Sequence, residues 1–270
     1  MRIALTIEHF NPGIGGAEGF AAMVVRRLAK KKHEIYVLAP NVTATDLPVK
    51  THRATFADMP PILAEINPDV TVDWGLNIPA HLHRLGGGVH REFLRFNERS
   101  APPLLRPFKN LLQRLSVKHK RIIQHEMNLL VQNSEHLLAV SDFVAAQVQR
   151  VVADVGNRLH VLRNGVDTTR FMPADEIERQ KKREALGVPQ DAFVCLFVGH
   201  NLRLKNLALL LRIFPEIYKR NPKIRLVVFG KRRPSVNAPW LIHAPASERP
   251  EDIYATADIL LHPTFYDACA

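Results

Sequence analysis

A glycine-rich segment, Asn11-Pro-Gly-Ile-Gly-Gly-Ala-Glu18, separates the first apolar strand pattern from the first helical pattern. Glycines allow a tight turn, and the free N–H groups at a helix start attract phosphate or carboxylate oxygens. The dinucleotide fingerprint G-x-G-x-x-G is not met, because counting from Gly13 its last glycine would fall at Glu18. The segment therefore predicts an anion-binding turn, with an ordinary glycine turn as the alternative.

A second glycine run, Gly86-Gly-Gly-Val-His90, follows the strand pattern at 80–85. A ligand can approach a glycine backbone closely, and a histidine can hydrogen-bond a hydroxyl near neutral pH. His90 is therefore a candidate for substrate contact, and a purely structural role is an equal alternative. His81 and His83 alternate along the strand, but no third ligand stands at a helpful spacing, so no metal site is expected there.

Two further segments offer charged groups near the ends of strand patterns. Arg203 and Lys205 lie in the loop after the apolar run 193–198, and ligands of open α/β sheets bind beyond the carboxyl ends of strands. These cations could hold a nucleotide diphosphate and stabilise the charge that builds on it as a leaving group, or they could be solvated loop charges. Asp267 follows the last strand pattern, where it could meet a sugar hydroxyl or serve as a turn residue.

Strand patterns and helical patterns, which must position these residues, alternate along the chain. Strand patterns cover residues 3–7, 35–38, 70–74, 80–85, 137–140, 159–162, 193–198, 225–229 and 259–261, with 241–243 as a further candidate. Helical patterns cover residues 17–31, 61–65, 104–133, 143–152, 207–218 and 251–255. Alternation with strands this apolar predicts parallel sheets covered by helices on both faces.

The alternation breaks after the turn signal Asn164-Gly-Val-Asp167, which precedes a highly charged stretch at 175–184. We place a domain boundary there, between a Rossmann-like domain at 1–165 and a second Rossmann-like domain at 166–270. The second domain offers three clear strand patterns, whereas a doubly wound sheet needs five or six and a covering helix. We therefore expect the second domain to be incomplete.

The composition of the chain limits which classes of protein it can belong to and which kinds of partner it can bind. The net charge of +11 favours an anionic partner such as phosphate groups, an acidic lipid surface or nucleic acid. No run approaches the roughly 18 uncharged apolar residues of a membrane span, and the N-terminus lacks a signal-peptide pattern. Cys195 and Cys269 suit neither a disulfide scaffold nor a zinc site. A cytoplasmic protein is expected.

Residues 99–121 form a basic amphipathic segment with seven Lys or Arg residues and no Asp or Glu. Apolar residues recur there at helical spacing, with Arg106, Lys109, Arg114 and Lys118 interspersed. This composition suits a helix on an anionic membrane, where each basic residue contributes about 1 kcal/mol. The alternative is a helix whose leucines pack on the first sheet. Nucleic acid is not expected, because no aromatic stacking residues interleave with the basic run.

Several motifs occur in an order that resembles a known family. They are Gly15-Gly16-Ala17-Glu18, Val140-Ser141, Asn164-Gly-Val-Asp167 with Phe171, Gly199 with Lys205, and Tyr254-Ala-Thr-Ala-Asp258 followed by His262-Pro263. Together they resemble the retaining glycosyltransferases of family 4, and most of all the lipopolysaccharide core glucosyltransferases and their relatives. The resemblance implies the α/β GT-B fold, with an acceptor domain and a nucleotide-sugar donor domain facing each other across a cleft.

The resemblance also implies roles in the first domain. Gly15 and Gly16 match the glycines that face the donor phosphate and the acceptor. His90 matches a histidine near the reacting sugar.

In the second domain, Lys205 matches the lysine that contacts the donor diphosphate. The usual arginine partner would stand at His200, and Arg203 is a candidate substitute. Asp267 matches the first acid of an E-x7-E motif, with Asp in place of Glu, as a catalytic and donor-binding group. The second acid would fall at position 275, beyond the sequence.

The implied reaction transfers a sugar from a nucleoside diphosphate to a hydroxyl of a lipid-linked or lipopolysaccharide acceptor with retained configuration. Such enzymes use cationic side chains and helix N-termini in place of a metal ion, so neither a metal nor a cofactor is expected. Without the second acid and the closing helix, we expect this chain to bind the donor poorly and to turn over little or not at all. The alternatives are a nucleotide-sugar epimerase of the same fold and a non-catalytic remnant that binds anionic lipid.

Overall fold

The computed structural model describes residues 1–11, 16–43, 46–132, 134–247 and 249–269. Gly15 of the predicted site lies outside them. The described chain divides into two compact units. The first unit comprises residues 1–98, 103–164 and 267–269, and the second comprises 99–102 and 165–266.

The first unit is built on a parallel sheet of seven strands in the order β5-β3-β1-β6-β7-β8-β9, and the short strands β2 and β4 pair separately. The strands are β1 (Arg2–Thr6), β2 (His9–Phe10), β3 (Glu34–Ala39), β4 (Asn41–Val42), β5 (Lys50–Arg53), β6 (Val70–Asp73), β7 (Ala80–Leu85), β8 (Ser134–Ala139) and β9 (Leu159–Val161). The central strands are buried because helices cover the sheet, as the apolar runs predict.

The helices of the first unit are α1 (Gly16–Lys30), α2 (Met59–Ile66), α3 (His90–Arg99), α4 (Arg106–Leu115), α5 (Val117–Gln132) and α6 (Asp142–Val151). Helix α1 buries Ala21 and Val25 against Ile3 and Leu5 of β1. Helix α6 begins after Ser141, whose Oγ accepts a hydrogen bond from the N–H of Val144 at 3.2 Å. This N-cap satisfies one of the free donors at the helix start.

The second unit contains a parallel sheet of four strands in the order β12-β11-β10-β13. Its elements are α7 (Glu176–Ala185), β10 (Phe193–Val198), α8 (Leu207–Arg220), β11 (Ile224–Phe229), β12 (Leu241–Ala244), α9 (Pro250–Tyr254) and β13 (Ile259–Leu260). Both faces of β10 are covered, because Phe197 packs with Phe214 of α8 while Leu196 packs with Ile253 of α9.

A buried arginine ties α7 to this second sheet. The Nε of Arg183 donates to the carbonyl of Thr256 at 3.1 Å, and its Nη2 lies 3.0 Å from Oδ2 of Asp258. Its Nη1 donates to the carbonyls of Gln190 and Ala192. The charge is therefore paired and hydrogen-bonded, as a buried charge must be.

The structure confirms the predicted α/β class with parallel sheets. Helices α3 and α7 and the short strands β2, β4 and β5 were not predicted. Helix α7 has no apolar periodicity, and it is stabilised instead by an Asp175 cap and by an ion pair between Glu178 and Lys182 at 3.4 Å.

The prediction of a single helix over residues 104–133 is wrong. The chain breaks between α4 and α5 at Ser116, where ψ is 113° and the backbone is extended. Among the helices of the described residues, none is long and apolar enough to cross a membrane.

Candidate functional site

His90 begins α3, directly after the glycine run, and is half-buried. Gly88 has a φ of 74°, a left-handed conformation that favours glycine. The turn therefore sets the position of His90 at the wall of a cavity of about 230 Å³. The cavity is lined by Gly75, Leu76, Leu85, Gly86, Gly87, Gly88, His90, Phe93 and Glu126.

Two side chains of α5 meet His90. The Nε2 of His90 lies 3.0 Å from Nδ1 of His119, so one ring donates and the other accepts. The backbone N–H of His90 donates to Oε2 of Glu126 at 2.8 Å. Both helices thus contribute polar groups to one wall of the cavity.

Burial shifts the pKa values of both groups. Burial raises the pKa of Glu126 to about 7, against the opposing effect of the hydrogen bond from His90. The pKa of His90 is lowered by burial, and further by His119 and Lys118. Near neutral pH the cavity therefore presents a neutral imidazole and a carboxyl group close to its own pKa. Both can hydrogen-bond hydroxyls, and the carboxyl can exchange a proton.

Neither His119 nor Glu126 was predicted. The sequence offers one signal, since Glu126 is the only acid between Arg99 and Ser134. Such an isolated acid in a basic helix is unremarkable until the fold brings it beside His90.

The alternating histidines of β7, His81 and His83, make hydrogen bonds to neighbouring groups of the fold. His83 is fully buried with its Nδ1 3.2 Å from Oδ2 of Asp73, which also accepts at Oδ1 from the hydroxyl of Thr6. The Nδ1 of His81 accepts from the N–H of Thr71 at 2.9 Å. Within the described ranges, no group of three or more His, Cys, Asp or Glu residues is placed to hold a metal ion.

In the second unit, the loop after β10 carries Arg203 and Lys205. A Cβ on Gly199 would lie 3.0 Å from Cγ of Lys205, so the lysine stem rests on the glycine. The loop closes through the N–H of Lys205, which donates to the carbonyl of Asn201 at 2.9 Å. Lys205 is half-buried, whereas Arg203 and His200 are exposed. The two cations predicted from the sequence thus share one loop at the carboxyl end of a parallel strand.

The remaining predicted residues lie in the first unit. Gly16 is the first residue of α1, where a Cβ would meet no atom within 4 Å. Asp267 is half-buried, and its Oδ1 accepts from the N–H of Cys269 at 3.2 Å. This bond closes a local turn, the alternative that the sequence left open for Asp267.

The apolar face of the basic segment is exposed to solvent. The alternative that its leucines pack on the first sheet is wrong, because Leu104 is 94% exposed and the other apolar residues are 52–63% exposed. These residues are Leu105, Phe108, Leu111, Leu112 and Leu115. Arg114 and Lys118 are also exposed, whereas Arg106 is half-buried and Lys109 donates to the carbonyl of Asn97.

Comparisons with known proteins show which sequences and folds this chain is similar to. No family model matches the chain. A D-inositol 3-phosphate glycosyltransferase from Thermobifida fusca (strain YX) is 33% identical over 118 residues, which are 42% of this chain and 26% of that protein. The chain therefore matches about a quarter of the length of this curated relative.

Solved structures are similar over nearly the whole chain. WaaG, a glycosyltransferase involved in lipopolysaccharide biosynthesis, matches 98% of this chain and 76% of its own, with a TM-score of 0.80 at 16% identity. Anabaena HepE, solved in complex with UDP and glucose, matches 97% of this chain and 74% of its own, with a TM-score of 0.66 at 14% identity.

These findings confirm the predicted fold class, which is GT-B. In sequence, part of the chain is similar to curated glycosyltransferases, in agreement with the resemblance of its motifs.

Proposed function

We propose that this chain is the nucleotide-sugar-binding and acceptor-binding part of a glycosyltransferase that transfers a sugar with retention of configuration. The proposal depends on the position of Lys205, whose side-chain stem packs against Gly199 in the loop beyond the carboxyl end of β10. An ammonium group there suits a diphosphate, because ligands of open α/β sheets bind beyond this edge. The sequence relationship to glycosyltransferases supports it.

The proposed chemistry divides between the two units. Lys205 and Arg203 contact the diphosphate and stabilise the negative charge that develops on it as the sugar departs. His90 hydrogen-bonds a hydroxyl near the reacting carbon, with its imidazole kept neutral by burial. Gly15 and Gly16 allow close approach to the donor phosphate and the acceptor. Asp267 contributes a carboxylate to catalysis and donor binding, the role that the resemblance implies for it. In this scheme cationic side chains take the place of a metal ion.

For the acceptor, two chemistries are supported by relatives. WaaG is involved in lipopolysaccharide biosynthesis, which favours a lipid-linked saccharide. The Thermobifida relative is named for D-inositol 3-phosphate, which favours a phosphorylated polyol. We retain the lipid-linked acceptor as the first candidate because the exposed apolar residues of 104–115 lie in the sequence between His90 and Glu126, which both line the cavity.

We further propose that α4 and the start of α5 bind the cytoplasmic face of an anionic membrane. Six apolar side chains of residues 104–115 stand in solvent, which is costly unless something covers them. Exposed cations, Arg114 and Lys118, lie in the same segment. A cavity of about 550 Å³ beside α4 is lined by Arg91, Arg95, Arg114 and Lys120, together with Glu92 and Glu98. This charge balance suits acidic lipid head groups.

The direct test is a transfer assay. The 270-residue chain is incubated with uridine, adenosine and guanosine diphosphate glucose, with and without a polyol phosphate or a lipid-linked saccharide. NMR then reads the anomeric configuration of any product. Because little turnover is expected of this chain, any acceptor-dependent α-linked product above the enzyme-free control, formed from an α-linked donor, supports the proposal. Conversion of the donor sugar without an acceptor would indicate an epimerase. No donor binding, together with tight vesicle binding, would indicate a non-catalytic lipid-binding remnant.

A further inference from the structure

Arg84, at the carboxyl end of β7, is a buried cation that pairs with no carboxylate of the described residues. It is 7% exposed, and its guanidinium lies over the rings of Trp74 at 4.5 Å and Phe20 at 4.9 Å. Its single hydrogen bond within the described residues runs from Nη2 to Oδ1 of Asn164 at 2.7 Å. A guanidinium carries five N–H donors, so most of the donors of Arg84 are not used by the described protein groups.

The carboxylate at the end of the neighbouring strand β6 does not supply the missing charge. Asp73, at the end of β6, is already held by the hydroxyl of Thr6 at 2.7 Å and by the N–H of Asn77 at 2.8 Å. Its Oδ2 also lies 3.2 Å from Nδ1 of His83. Burial lowers the pKa of Arg84 to about 10, an effect that Cys269 only partly offsets. Keeping an unpaired guanidinium buried costs folding free energy, so a compensating anion is expected when the protein works.

A second donor beside Arg84 also lacks an acceptor among the described residues. The indole Nε1–H of Trp74 is buried, and no group in the described ranges accepts a hydrogen bond from it. Buried donors in folded proteins are almost always paired, so an unpaired one next to an unpaired guanidinium indicates a missing acceptor. Both side chains lie at the edge of the sheet where ligands of open α/β folds bind. Phe20 places the guanidinium beside the second turn of α1, whose N-terminal end favours anions.

Gly86 is part of this arrangement. A Cβ on Gly86 would lie 2.3 Å from Nη1 of Arg84. A glycine at this position therefore leaves room for the guanidinium over the two rings.

We propose that Arg84, with the indole N–H of Trp74 beside it, forms a binding subsite for a phosphoryl group of the substrate. The planar fork of arginine matches phosphate oxygens, and a donor-only cluster accepts a fully ionised anion without repulsion. The inference rests on the proposed function only for the source of the phosphate. That source is a phosphorylated acceptor or the diphosphate of the donor.

The fluorescence of Trp74 can be used to measure ligand binding at this subsite. The chain has two tryptophans, and Trp240 belongs to the core of the second unit beside Phe214. In a Trp240→Phe background, Trp74 emission is titrated with inorganic phosphate, inositol 3-phosphate, uridine diphosphate and neutral inositol. We expect a saturable change with the three phosphates and none with inositol. Tighter binding of inositol 3-phosphate assigns the subsite to the acceptor, and tighter binding of uridine diphosphate assigns it to the donor.

Variants then test the assignment. Arg84→Gln should weaken phosphate binding about tenfold or more, because it removes a charged hydrogen-bonding group. Arg53→Gln, at an exposed position of β5, is the matched control and should bind as the parent does. Equal affinity in Arg84→Gln and the parent, or an equal response to inositol, would overturn the proposal.

Two further variants guard against misfolding of Arg84→Gln. Trp74→Phe keeps the ring over the guanidinium but removes the N–H, and calorimetry should show binding weakened about three- to tenfold. Gly86→Ala keeps the charge but displaces the guanidinium, and should weaken binding similarly. Unchanged binding in both variants would count against the subsite. These readouts need no sugar transfer, so failure of the transferase proposal would leave them intact.

Discussion

Nε2 of His90 and Nδ1 of His119 lie 3.0 Å apart and join the N-terminus of α3 to the first turn of α5. Because each ring has two nitrogens, this contact leaves only Nδ1 of His90 for a substrate hydroxyl. His119 therefore fixes the orientation of the imidazole predicted to meet the reacting sugar. It stands one residue after Lys118, in the segment proposed to bind a membrane.

Removing His119 should change the titration of His90. In His119→Ala, the pKa of His90 should rise slightly toward its ordinary value, because one of the groups that lower it is gone while burial, the larger cause, remains. NMR titration of the His90 ring protons measures this shift. A lower pKa, or no change, would mean that the two rings do not interact as the distance indicates.

Glu126 should make the protein less stable as the pH rises through about 7. Its folded pKa is raised above the unfolded value, so the folded state binds more protons between about pH 4.5 and 7. The stability gained from the neutral carboxyl is present at low pH and is lost above pH 7.

Glu126→Gln keeps an acceptor for the N–H of His90 but cannot ionise. At pH 8 it should raise the free energy of unfolding by about 1–2 kcal/mol, while at pH 4.5 it should have little effect. Urea denaturation at both pH values measures the difference. Equal effects of the substitution at pH 4.5 and pH 8 would contradict the burial of this carboxyl.

Gly230 should be intolerant of any side chain. A Cβ there would lie 2.4 Å from the carbonyl oxygen of Gly199, at the base of the loop that carries Lys205. Gly230→Ala should destabilise the protein by about 1–3 kcal/mol, because two backbones must separate. Gly19→Ala in α1 meets no atom within 4 Å, and should be neutral or stabilising by about 0.5–1 kcal/mol. Thermal denaturation of both variants compares them.

Membrane binding should depend on both faces of the basic segment. Arg114→Gln with Lys118→Gln should weaken sedimentation with anionic vesicles by about 2 kcal/mol, or about 30-fold. Phe108→Ser should weaken it about three- to tenfold through lost apolar burial. The double variant Lys219→Gln and Lys223→Gln removes the same charge from exposed sites of the second unit and should leave binding unchanged. Equal sedimentation with neutral and anionic vesicles would contradict the proposal.

Sequence patterns predicted the parts of this fold that follow from apolar periodicity. Strand β10 occupies the residues predicted for it, since buried parallel strands read as apolar runs bounded by turns. Helix α7 escaped prediction because charged residues and a cap, not an apolar stripe, stabilise it. The amphipathic pattern of α4 predicted a helix, but it did not predict whether the leucines pack on the sheet or remain exposed.

The candidate site was predictable only where a motif carried it. Lys205 and His90 stand next to glycine turns, which mark strand ends in the sequence. Arg84 and Glu126 gain their significance from burial and from partners far along the chain, Asn164 in one case and His90 in the other. Neither burial nor such a pairing leaves a periodic signal in the residues themselves.

Lys205 is the most direct test of the sugar-transfer account. Ligand-detected NMR measures binding of uridine, adenosine and guanosine diphosphates to the parent chain, to Lys205→Ala, and to Lys223→Ala, whose exposed lysine pairs with Asp191. The account predicts saturable binding of at least one diphosphate, weakened about tenfold or more in Lys205→Ala and unchanged in Lys223→Ala. Equal binding by the parent and Lys205→Ala, or no saturable binding of any diphosphate, would contradict it.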